Sequence, residues 1–431
     1  MTRQRVIAAF FVAPAFVLLA ALVLYPVGFT IWRSFFNASG ASYVGLAKYR
    51  EMFTNHSTLT AIKNNAVWVV VAPTLATSIG LVFAVLTERV RIGTAFKIVI
   101  FMPMAISFLA AGVIFRLVYD RSPDRGVANA ILTGVHDVFR GPGPYPGARP
   151  SQPDQLVPQA GGFATTAGFA PGTSAAPLPL VAIPAGQIPR SAELARPAGS
   201  ADRDAITGTV WLDFAPGGGG TKGVVDPGEK GLPGARVEAI AANGTVAGHD
   251  TTDDAGRFSI TGLGADRGPF RLRLASSTFR PAWGGIDWLG PALVTPSIIG
   301  SFLWIWTGFA MIVIAAGLAA IPRETLEAAR VDGASEWNVF RLVTVPLLWP
   351  VLLVVAVTLV INVLKIFDLV LVIPPGSVQD NANVVALELW RVSFGGGHDE
   401  GLGSALGVLL FVLVVPAMAF NVRRFRGTVD R

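Results

Sequence analysis

The sequence contains no cysteine, so it can form neither a disulfide framework nor a thiolate metal site. Charged residues are also scarce. They make up 14% of the chain, against about 25% in an average soluble domain. Hydrophobic residues account for 52% of the 431 residues, and the mean hydropathy is +0.55. This balance predicts a membrane protein.

A nucleotide-binding motif is missing as well. The nearest approach is GGGGTK, residues 217–222, but a phosphate loop needs lysine directly after its last glycine and Ser or Thr after that lysine. The net charge of +6 is spread over many helix ends rather than gathered in one stripe, which argues against a nucleic-acid partner. We therefore predict no enzymatic site and no bound cofactor, so energy for any work must come from a partner or a gradient.

Long apolar runs dominate what is present. Crossing a hydrocarbon layer of ~30 Å takes roughly 20 mostly apolar residues. The first run follows a basic start, MTRQR, but it is far longer than a signal-peptide core and no A-x-A cleavage pattern follows it, so we expect a retained helix. The six predicted spans are residues 6–32, 66–86, 96–118, 296–320, 347–373 and 404–421.

The positions of Lys and Arg predict the orientation, because short cytoplasmic loops are enriched in them. With the N-terminus inside, the inner segments hold twelve Lys and Arg, including Arg89 and Arg91, and the two short outer loops hold five. Arginine outnumbers lysine, which hints at a GC-rich bacterial genome. We expect a multi-pass protein of the bacterial cytoplasmic membrane, with both termini in the cytoplasm and the long segment after the third span outside.

That long outer segment divides into two parts. Residues 141–200 hold twelve of the thirty prolines among small residues with little periodic pattern, which predicts a flexible linker over residues 140–205. Residues 206–275 contain short alternating runs, such as RFSI and FRLRL, separated by turn signals including NG and DPG. These runs predict a compact antiparallel β-sandwich inserted outside the membrane.

The order GTVWLD, DPGEKGLPGARVEAI, TTDDAGRFSITGL resembles the prealbumin-like repeats of bacterial surface proteins, close to the B-type repeats of Gram-positive adhesins. Such repeats often bind calcium through acidic loop residues, and Asp213, Asp226 and Glu229 occupy comparable positions. Calcium needs six or more oxygen ligands, however, and APGGGGTKG stands where most acidic ligands are expected. Solvated turn carboxylates are the favoured interpretation, with a metal site as the alternative.

A polar stretch, residues 322–346, separates the fourth and fifth spans. Pro322 suits a first helical position, and Gly333 falls where a helix end favours a left-handed residue. Ser335 can cap a second helix, which Pro346 closes. The pattern predicts two short helices on the cytoplasmic face. Pattern alone leaves open whether they dock into a groove on a soluble partner or rest among the lipid headgroups.

The same stretch resembles the coupling loop of permease subunits of ATP-binding-cassette (ABC) importers. That signature is EAA, three residues, Gly, nine residues, an aliphatic, one residue, an aliphatic and Pro, and its spacing is complete here. In that family the loop fits a cleft of a cytoplasmic ATPase, so the resemblance implies an energy-coupling role. The matching residues are Glu327, Ala328, Ala329, Gly333, Val343, Val345 and Pro346, with valine where isoleucine and leucine are usual.

The resemblance extends to the other spans. FMPMAISFLAAGVIF, WIWTGF, LKIFDLVLVI and GVLLFVLVVPAMAFNVRRFR are similar to carbohydrate permeases, closest to the first permease of maltose and α-glucoside systems. Residues 1–139 would form spans one to three, and residues 281–431 would form spans four to six with the coupling loop. GVANAIL and GIDWLGP are similar to two halves of one family loop, so the β-domain is predicted to be an insertion between them, dispensable for transport.

The resemblance implies the partners. They are a second permease subunit, a cytoplasmic ATPase dimer that uses ATP, an extracellular sugar-binding protein and membrane lipid. A sugar would pass through a pocket between the two permeases, which needs hydrogen-bonding groups and aromatic faces. The candidate path residues are Asn362, Lys365, Phe367 and Asp368 on the fifth span and Trp304, Trp306 and Thr307 on the fourth.

Several of these candidates have a second interpretation. Lys365 and Asp368 would share one helix face, so they either line the path or form a structural ion pair, which we favour. Trp304 and Trp306 either line the path or anchor the chain at the membrane interface, which is the favoured role. Two other protein classes also stay open. One is a gradient-driven transporter, although the spans hold few carboxylates, and the other is an adhesin acting through its β-domain.

Overall fold

The computed structural model describes residues 2–88, 90, 92–215, 218, 220–264 and 268–429, and side chains from residue 10 to residue 416 within those ranges. Arg89, Arg91 and part of GGGGTK lie outside the described residues. The chain divides into a helical unit, residues 1–130 and 286–431, and a second unit, residues 131–285.

The helices follow the apolar runs and the polar stretches between them. Two π-helical segments, Ala20–Leu24 and Val339–Thr344, and a 3-10 turn, Met102–Ala105, join neighbouring helices. The α-helices are α1 (Thr2–Leu19), α2 (Tyr25–Arg33), α3 (Ala47–Met52), α4 (His56–Glu88), α5 (Gly93–Phe101), α6 (Phe108–Val118), α7 (Val127–Arg140), α8 (Ser276–Phe279), α9 (Val294–Ala319), α10 (Arg323–Val331), α11 (Glu336–Asn338), α12 (Val345–Leu364), α13 (Asp368–Val372), α14 (Val385–Ser393) and α15 (Glu400–Val429).

Among the residues that the structure describes, four helical stretches are long and apolar enough to cross a membrane: Phe10–Arg33, His56–Glu88, Val294–Ala319 and Glu336–Leu364. A fifth crossing is possible if α5 and α6 count as one. The apolar part of α15, Glu400–Pro416, is shorter. Membrane-type helices are therefore present, and the count of six spans stays a prediction.

The third predicted span is not one straight helix. The segments on either side of residues 106–107 meet at 102°. Ile106 is extended, and the Ser107 hydroxyl accepts the Ala110 N–H at 3.2 Å, which starts a new helix at the bend. An N-cap serine inside the apolar run therefore divides the predicted span over residues 96–118 into two helices, α5 and α6.

The fifth predicted span also differs. Its helix begins earlier, at Glu336, and ends at Leu364, after which residues 365–367 leave the helix and α13 runs for only five residues. Pro346 does not close a helix, because it lies in the first turn of α12, directly after a π segment. A π turn changes the backbone bonding where the proline lacks an N–H, so the helix continues.

The core of the helical unit lies among α4, α9 and α12. Trp68 of α4 meets Phe302 of α9 edge to face, with ring centroids 5.7 Å apart. The two helices approach closely at Gly80, where a Cβ would lie 2.7 Å from the Cβ of Ala310. Small residues at such crossings allow helices in a membrane to pack tightly.

In the described residues of the second unit, ten strands form two five-stranded sheets. One has the order β1-β4-β5-β6, with β9 also paired to β5, and the other has the order β2-β3-β10-β7-β8. The strands are β1 (Arg149–Pro150), β2 (Leu156–Gln159), β3 (Gly162–Thr165), β4 (Ala176–Val181), β5 (Ile206–Leu212), β6 (Lys230–Gly231), β7 (Arg236–Ile240), β8 (Val246–Thr251), β9 (Arg257–Ile260) and β10 (Arg271–Leu274).

The prediction of a flexible linker over residues 140–205 was wrong. Four of the ten strands lie there, and β4 pairs with β5 along five residues. Pro179 is tolerated because its carbonyl accepts the Ser151 N–H, so its missing N–H faces away from β5. The β4–β5 pairing is parallel, so the sheets are not purely antiparallel. Both sheets contribute to one apolar core, with Leu178 and Leu272 fully buried.

Candidate functional site

The predicted coupling motif forms a hairpin of α10 and α11. Gly333 has φ +85°, so it ends α10 in the left-handed conformation. Its N–H donates to the Arg330 carbonyl and the Ala334 N–H donates to the Ala329 carbonyl, both at 3.0 Å, which is a Schellman cap. The Ser335 hydroxyl then accepts the Asn338 N–H at 3.3 Å and starts α11. This is the turn that the sequence predicts, although Pro322 caps α10 rather than beginning it.

The hairpin presents a largely uncovered surface. None of the residues of α10 is buried, and Glu327 and Ala328 are exposed. Two apolar side chains project as well, Val331 with 87% of its area exposed and Trp337 with 65%. Exposed apolar residues among charges are typical of a surface that a partner covers.

Ion pairing holds the hairpin in one shape. The Arg330 guanidinium donates to the Glu336 carboxylate at 2.8 Å and so joins α10 to α11. Behind the hairpin lies a pocket of about 340 Å³. Its lining combines apolar residues, such as Val85 and Leu318, with charged ones, such as Glu88 and Glu327. A hairpin that is braced internally and open outward can move as one body.

A second pocket, of about 270 Å³, lies where α12 ends. Five of the seven candidate path residues from the sequence line it: four come from the segment where α12 breaks, and Trp306 comes from α9. Sequence reasoning missed the aromatic residues Phe108 and Phe302. Ser107, as a potential N-cap, was the available signal for Phe108. The lining residues are Phe108, Phe302, Trp306, Asn362, Lys365, Ile366, Phe367, Asp368 and Leu369.

Lys365 and Asp368 do not share one helix face. Lys365 caps the end of α12, whereas Asp368 is the first residue of α13, with Phe367 between them at φ −139°. Within the described part of the chain no ion pair joins the two side chains. Lys365 is exposed and Asp368 is half-buried. The favoured prediction, a structural ion pair on one helix, was therefore wrong.

The aromatic side of this pocket is ordered by stacking. The Trp306 ring stacks on Phe108, at 6.2 Å between centroids, and on Phe302, at 5.9 Å. Trp304 lies elsewhere, with 41% of its area exposed and its ring against Phe115. Thr307 is buried and does not line the pocket. Flat aromatic faces beside hydrogen-bonding groups form a surface on which a sugar ring can lie.

The three carboxylates named as the alternative calcium ligands accept hydrogen bonds from nearby residues of their own unit. Asp213 accepts the Gly223 N–H at 2.8 Å and the Ser151 hydroxyl, and Asp226 accepts the Thr221 N–H. Burial, together with the charges of Asp213 and Asp226, raises the pKa of Glu229. In the described ranges no three His, Cys, Asp or Glu side chains are grouped to hold a metal ion. These hydrogen bonds are typical of carboxylates that stabilise turns.

Comparisons with known proteins show which family and which fold this chain resembles. Residues 258–425 match the family described as binding-protein-dependent transport system inner membrane component. The osmoprotective compounds uptake permease protein GgtC of Synechocystis sp. is 27% identical over 97% of this chain and 98% of that protein. The alpha-glucoside transport system permease protein AglF of Rhizobium meliloti is 26% identical, over 96% of this chain and 80% of that protein.

A solved structure gives the same fold. It is that of a bacterial ABC transporter involved in the import of the acidic polysaccharide alginate, with a TM-score of 0.54 at 15% identity, over 98% of this chain and 96% of that chain. The family match and the two permeases bear out the permease interpretation made from the sequence, and the solved structure bears out the fold alone.

Proposed function

We propose that this chain, a permease subunit of a binding-protein-dependent ABC sugar importer, carries an α-glucoside-type sugar along the pocket at the end of α12 and is driven through the hairpin of α10 and α11. The observation that supports this best is the pairing of a complete coupling motif with an uncovered hairpin surface. The relatives that match nearly the whole chain are permeases for α-glucosides and for osmoprotective compounds.

The hairpin and the pocket are joined by one helix. The helical stretch Glu336–Leu364 is uninterrupted over 29 residues and reaches from the hairpin to the break at Lys365. At about 1.5 Å per residue, this rod is roughly 43 Å long. A shift of the hairpin therefore moves one wall of the pocket directly, which is how closure of a partner ATPase would reach the substrate.

Transport in this scheme is a population shift between inward-open and outward-open states. ATP binding and hydrolysis occur on the partner ATPase, and the two nucleotide states favour different positions of the hairpin. The sugar needs only moderate affinity for the pocket, because it must enter from one side and leave on the other. Residues with polar ends, Asn362, Lys365 and Asp368, would bind hydroxyl groups, while Trp306 and Phe367 would contact the ring.

A permease of this kind works only within a larger importer complex, so the proposal also specifies its partners. The partners are a second permease that completes the pathway, an ATPase dimer below the hairpin and an extracytoplasmic binding protein that delivers the sugar. The protein would lie in the bacterial cytoplasmic membrane with both termini in the cytoplasm. The β-sheet unit would then be outside, where it acts as an accessory module.

Affinity purification from the native membrane tests this function. The wild-type chain should retain an ATPase and a second permease, identified by mass spectrometry. Gly333→Asp should release the ATPase, because it places a non-glycine residue at φ +85° and adds a negative charge at the negative end of the α10 dipole. Gly396→Asp is the matched control, since Gly396 has φ +106° and open space around it, away from the hairpin.

The second permease should remain with both variants. If no ATPase is retained by the wild-type chain under conditions that preserve other such complexes, the coupling proposal is wrong. If Gly396→Asp releases the ATPase as fully as Gly333→Asp, the effect is general misfolding and the hairpin is not the coupling surface.

A further inference from the structure

Helix α7 exposes its apolar side. Five large apolar residues recur at spacings of four, four, three and one along it, which places them on one face of a helix. All five are more than half exposed, and Val138 and Phe139 reach 79% and 82%. The exposed face consists of Val127, Ile131, Val135, Val138 and Phe139.

Three polar or aromatic side chains on the opposite face of α7 pack against the protein, while Asp137 is exposed. Asn129 and Thr133 are buried, and His136 is half-buried with its ring stacked on Trp283 at 4.8 Å between centroids. The His136 ring nitrogen Nδ1 also lies 3.1 Å from the Asp137 carboxylate. A helix on a soluble surface buries its apolar stripe and shows its polar residues to water. Helix α7 instead leaves its apolar face exposed. We therefore expect a medium other than water to cover that face.

The dimensions of α7 suit a position in the plane of a bilayer. Its 14 residues span about 21 Å, less than the ~30 Å hydrocarbon layer, so it cannot cross. Helices of this kind lie at the boundary between headgroups and acyl chains with the apolar face inward. Trp283 beside His136 adds an aromatic ring of the type that favours the membrane interface.

We propose that α7 is an interfacial helix that seats the start of the β-sheet unit on the lipid surface, with Val135, Val138 and Phe139 in contact with acyl chains. A lipid surface is favoured over a protein partner because the exposed face carries no charged or hydrogen-bonding side chain. In addition, α7 begins nine residues after α6, a helix of the predicted membrane segment that itself exposes Val113 and Leu117. The proposal does not depend on which sugar is transported.

Site-specific fluorescence quenching tests it. Because the chain contains no cysteine, one introduced cysteine gives a single labelling site. The full chain carrying Val138→Cys, labelled with a small environment-sensitive fluorophore, would be placed in vesicles of phosphatidylethanolamine and phosphatidylglycerol. Doxyl-labelled lipid is the quencher within the bilayer, and iodide is the quencher in water. Asp137→Cys is the matched control, because Asp137 is the neighbouring residue and is exposed but lies off the apolar face.

The expected result is a blue-shifted emission at position 138 and lipid quenching about twofold or more above that at position 137, with iodide quenching in the opposite order. Equal quenching by iodide at both positions would overturn the proposal, because the face would then lie in water. Protection of position 138 from both quenchers would also overturn it, since a protein rather than lipid would cover the helix.

Discussion

The side chain of Asn129 binds both backbone polar groups of Ile286, a residue 157 positions away in the chain. Its Nδ2 donates to the Ile286 carbonyl at 2.9 Å, and its Oδ1 accepts the Ile286 N–H at 2.8 Å. The same amide accepts the Trp288 indole N–H and donates to the carbonyl of Asp120. Residues before and after the β-sheet unit are thus held together within the helical unit itself, by a fully buried amide.

This pairing makes the β-sheet unit removable in principle. We predict that deletion of residues 131–285, with a short Gly-Ser linker joining Ala130 to Ile286, leaves membrane insertion and ATPase binding unchanged. Uptake of radiolabelled α-glucosides by cells should stay within about twofold of wild type, because the loop ends are already fixed by Asn129. A collapse of uptake with the shortened chain still inserted would show that the unit takes part in transport.

The Asn129 bonds are tested separately in the shortened chain. Asn129→Ala there should lower the stability of the helical unit by about 1–3 kcal/mol, because it removes a buried amide and leaves the partly buried backbone groups of Ile286 without these bonds. Thermal unfolding in detergent measures the change. Asn64→Ala is a comparison, since Asn64 donates to two backbone carbonyls from a less buried position. An equal loss in both variants would contradict the special role of Asn129.

The approach of α4 to α9 predicts a steric effect. Gly80→Ala places a Cβ at 2.7 Å from the Ala310 Cβ and 3.0 Å from the Met311 backbone nitrogen, so the two helices must separate. We expect a destabilisation of about 1–3 kcal/mol in thermal unfolding. Gly28→Ala in α2 is the matched control, because no atom lies within 4 Å of its added Cβ. Its effect should be neutral or slightly stabilising, as alanine favours a helix.

The pocket at the end of α12 predicts a transport phenotype. Lys365→Gln and Asp368→Asn should each raise the sugar concentration for half-maximal uptake by about tenfold, because each removes a charged hydrogen-bonding group worth about 1.5–3 kcal/mol. ATPase retention in affinity purification should not change. Lys63→Gln, at an exposed residue of α4 outside the pocket, should have no effect. Loss of the ATPase in the pocket variants would point to a structural role instead.

Two glutamates of the β-sheet unit predict opposite responses to pH. Burial raises the pKa of Glu238, but hydrogen bonds from Arg273 and Arg236 outweigh it and lower the pKa below its ordinary 4.5. Its stabilising contribution is therefore present above that pH and is lost as the pH falls. Burial raises the pKa of Glu229, so its contribution is present at low pH and is lost as the pH rises.

Hydrogen exchange in the full chain, corrected for intrinsic rates, measures both effects. Glu238→Gln should accelerate exchange in β7 and β10 at neutral pH, and this effect should fade as the pH falls below 4.5 toward the lowered pKa of Glu238. Glu229→Gln keeps an acceptor for the Asp226 N–H and should slow exchange in β5 and β6 at neutral pH. The same sign of change in both variants would contradict the assignment of their pKa shifts.

The helical part of the fold was largely predictable from sequence. Four of the predicted spans overlap helices that are long enough to cross a membrane, and the hairpin turn at Gly333 forms as its local signals indicate. The breaks at Ser107 and Lys365 were not predicted. Hydropathy counts apolar residues and does not register a cap or a non-helical residue inside an apolar run. The pocket lies at these breaks, so two of its aromatic residues, Phe108 of α6 and Phe302 of α9, were missed, whereas Trp306 was a candidate.

The sequence alone determined the membrane character, the complete coupling motif and the left-handed turn, because each depends on residues close together in the chain. A helix in lipid satisfies its own backbone, and a glycine cap acts within one turn. Only the tertiary structure decided that residues 149–181 join the β-sheets, that α7 leaves its apolar face exposed and that Lys365 and Asp368 lie on separate helices. These features depend on pairing between distant segments, such as β3 with β10, for which a one-dimensional pattern holds no signal.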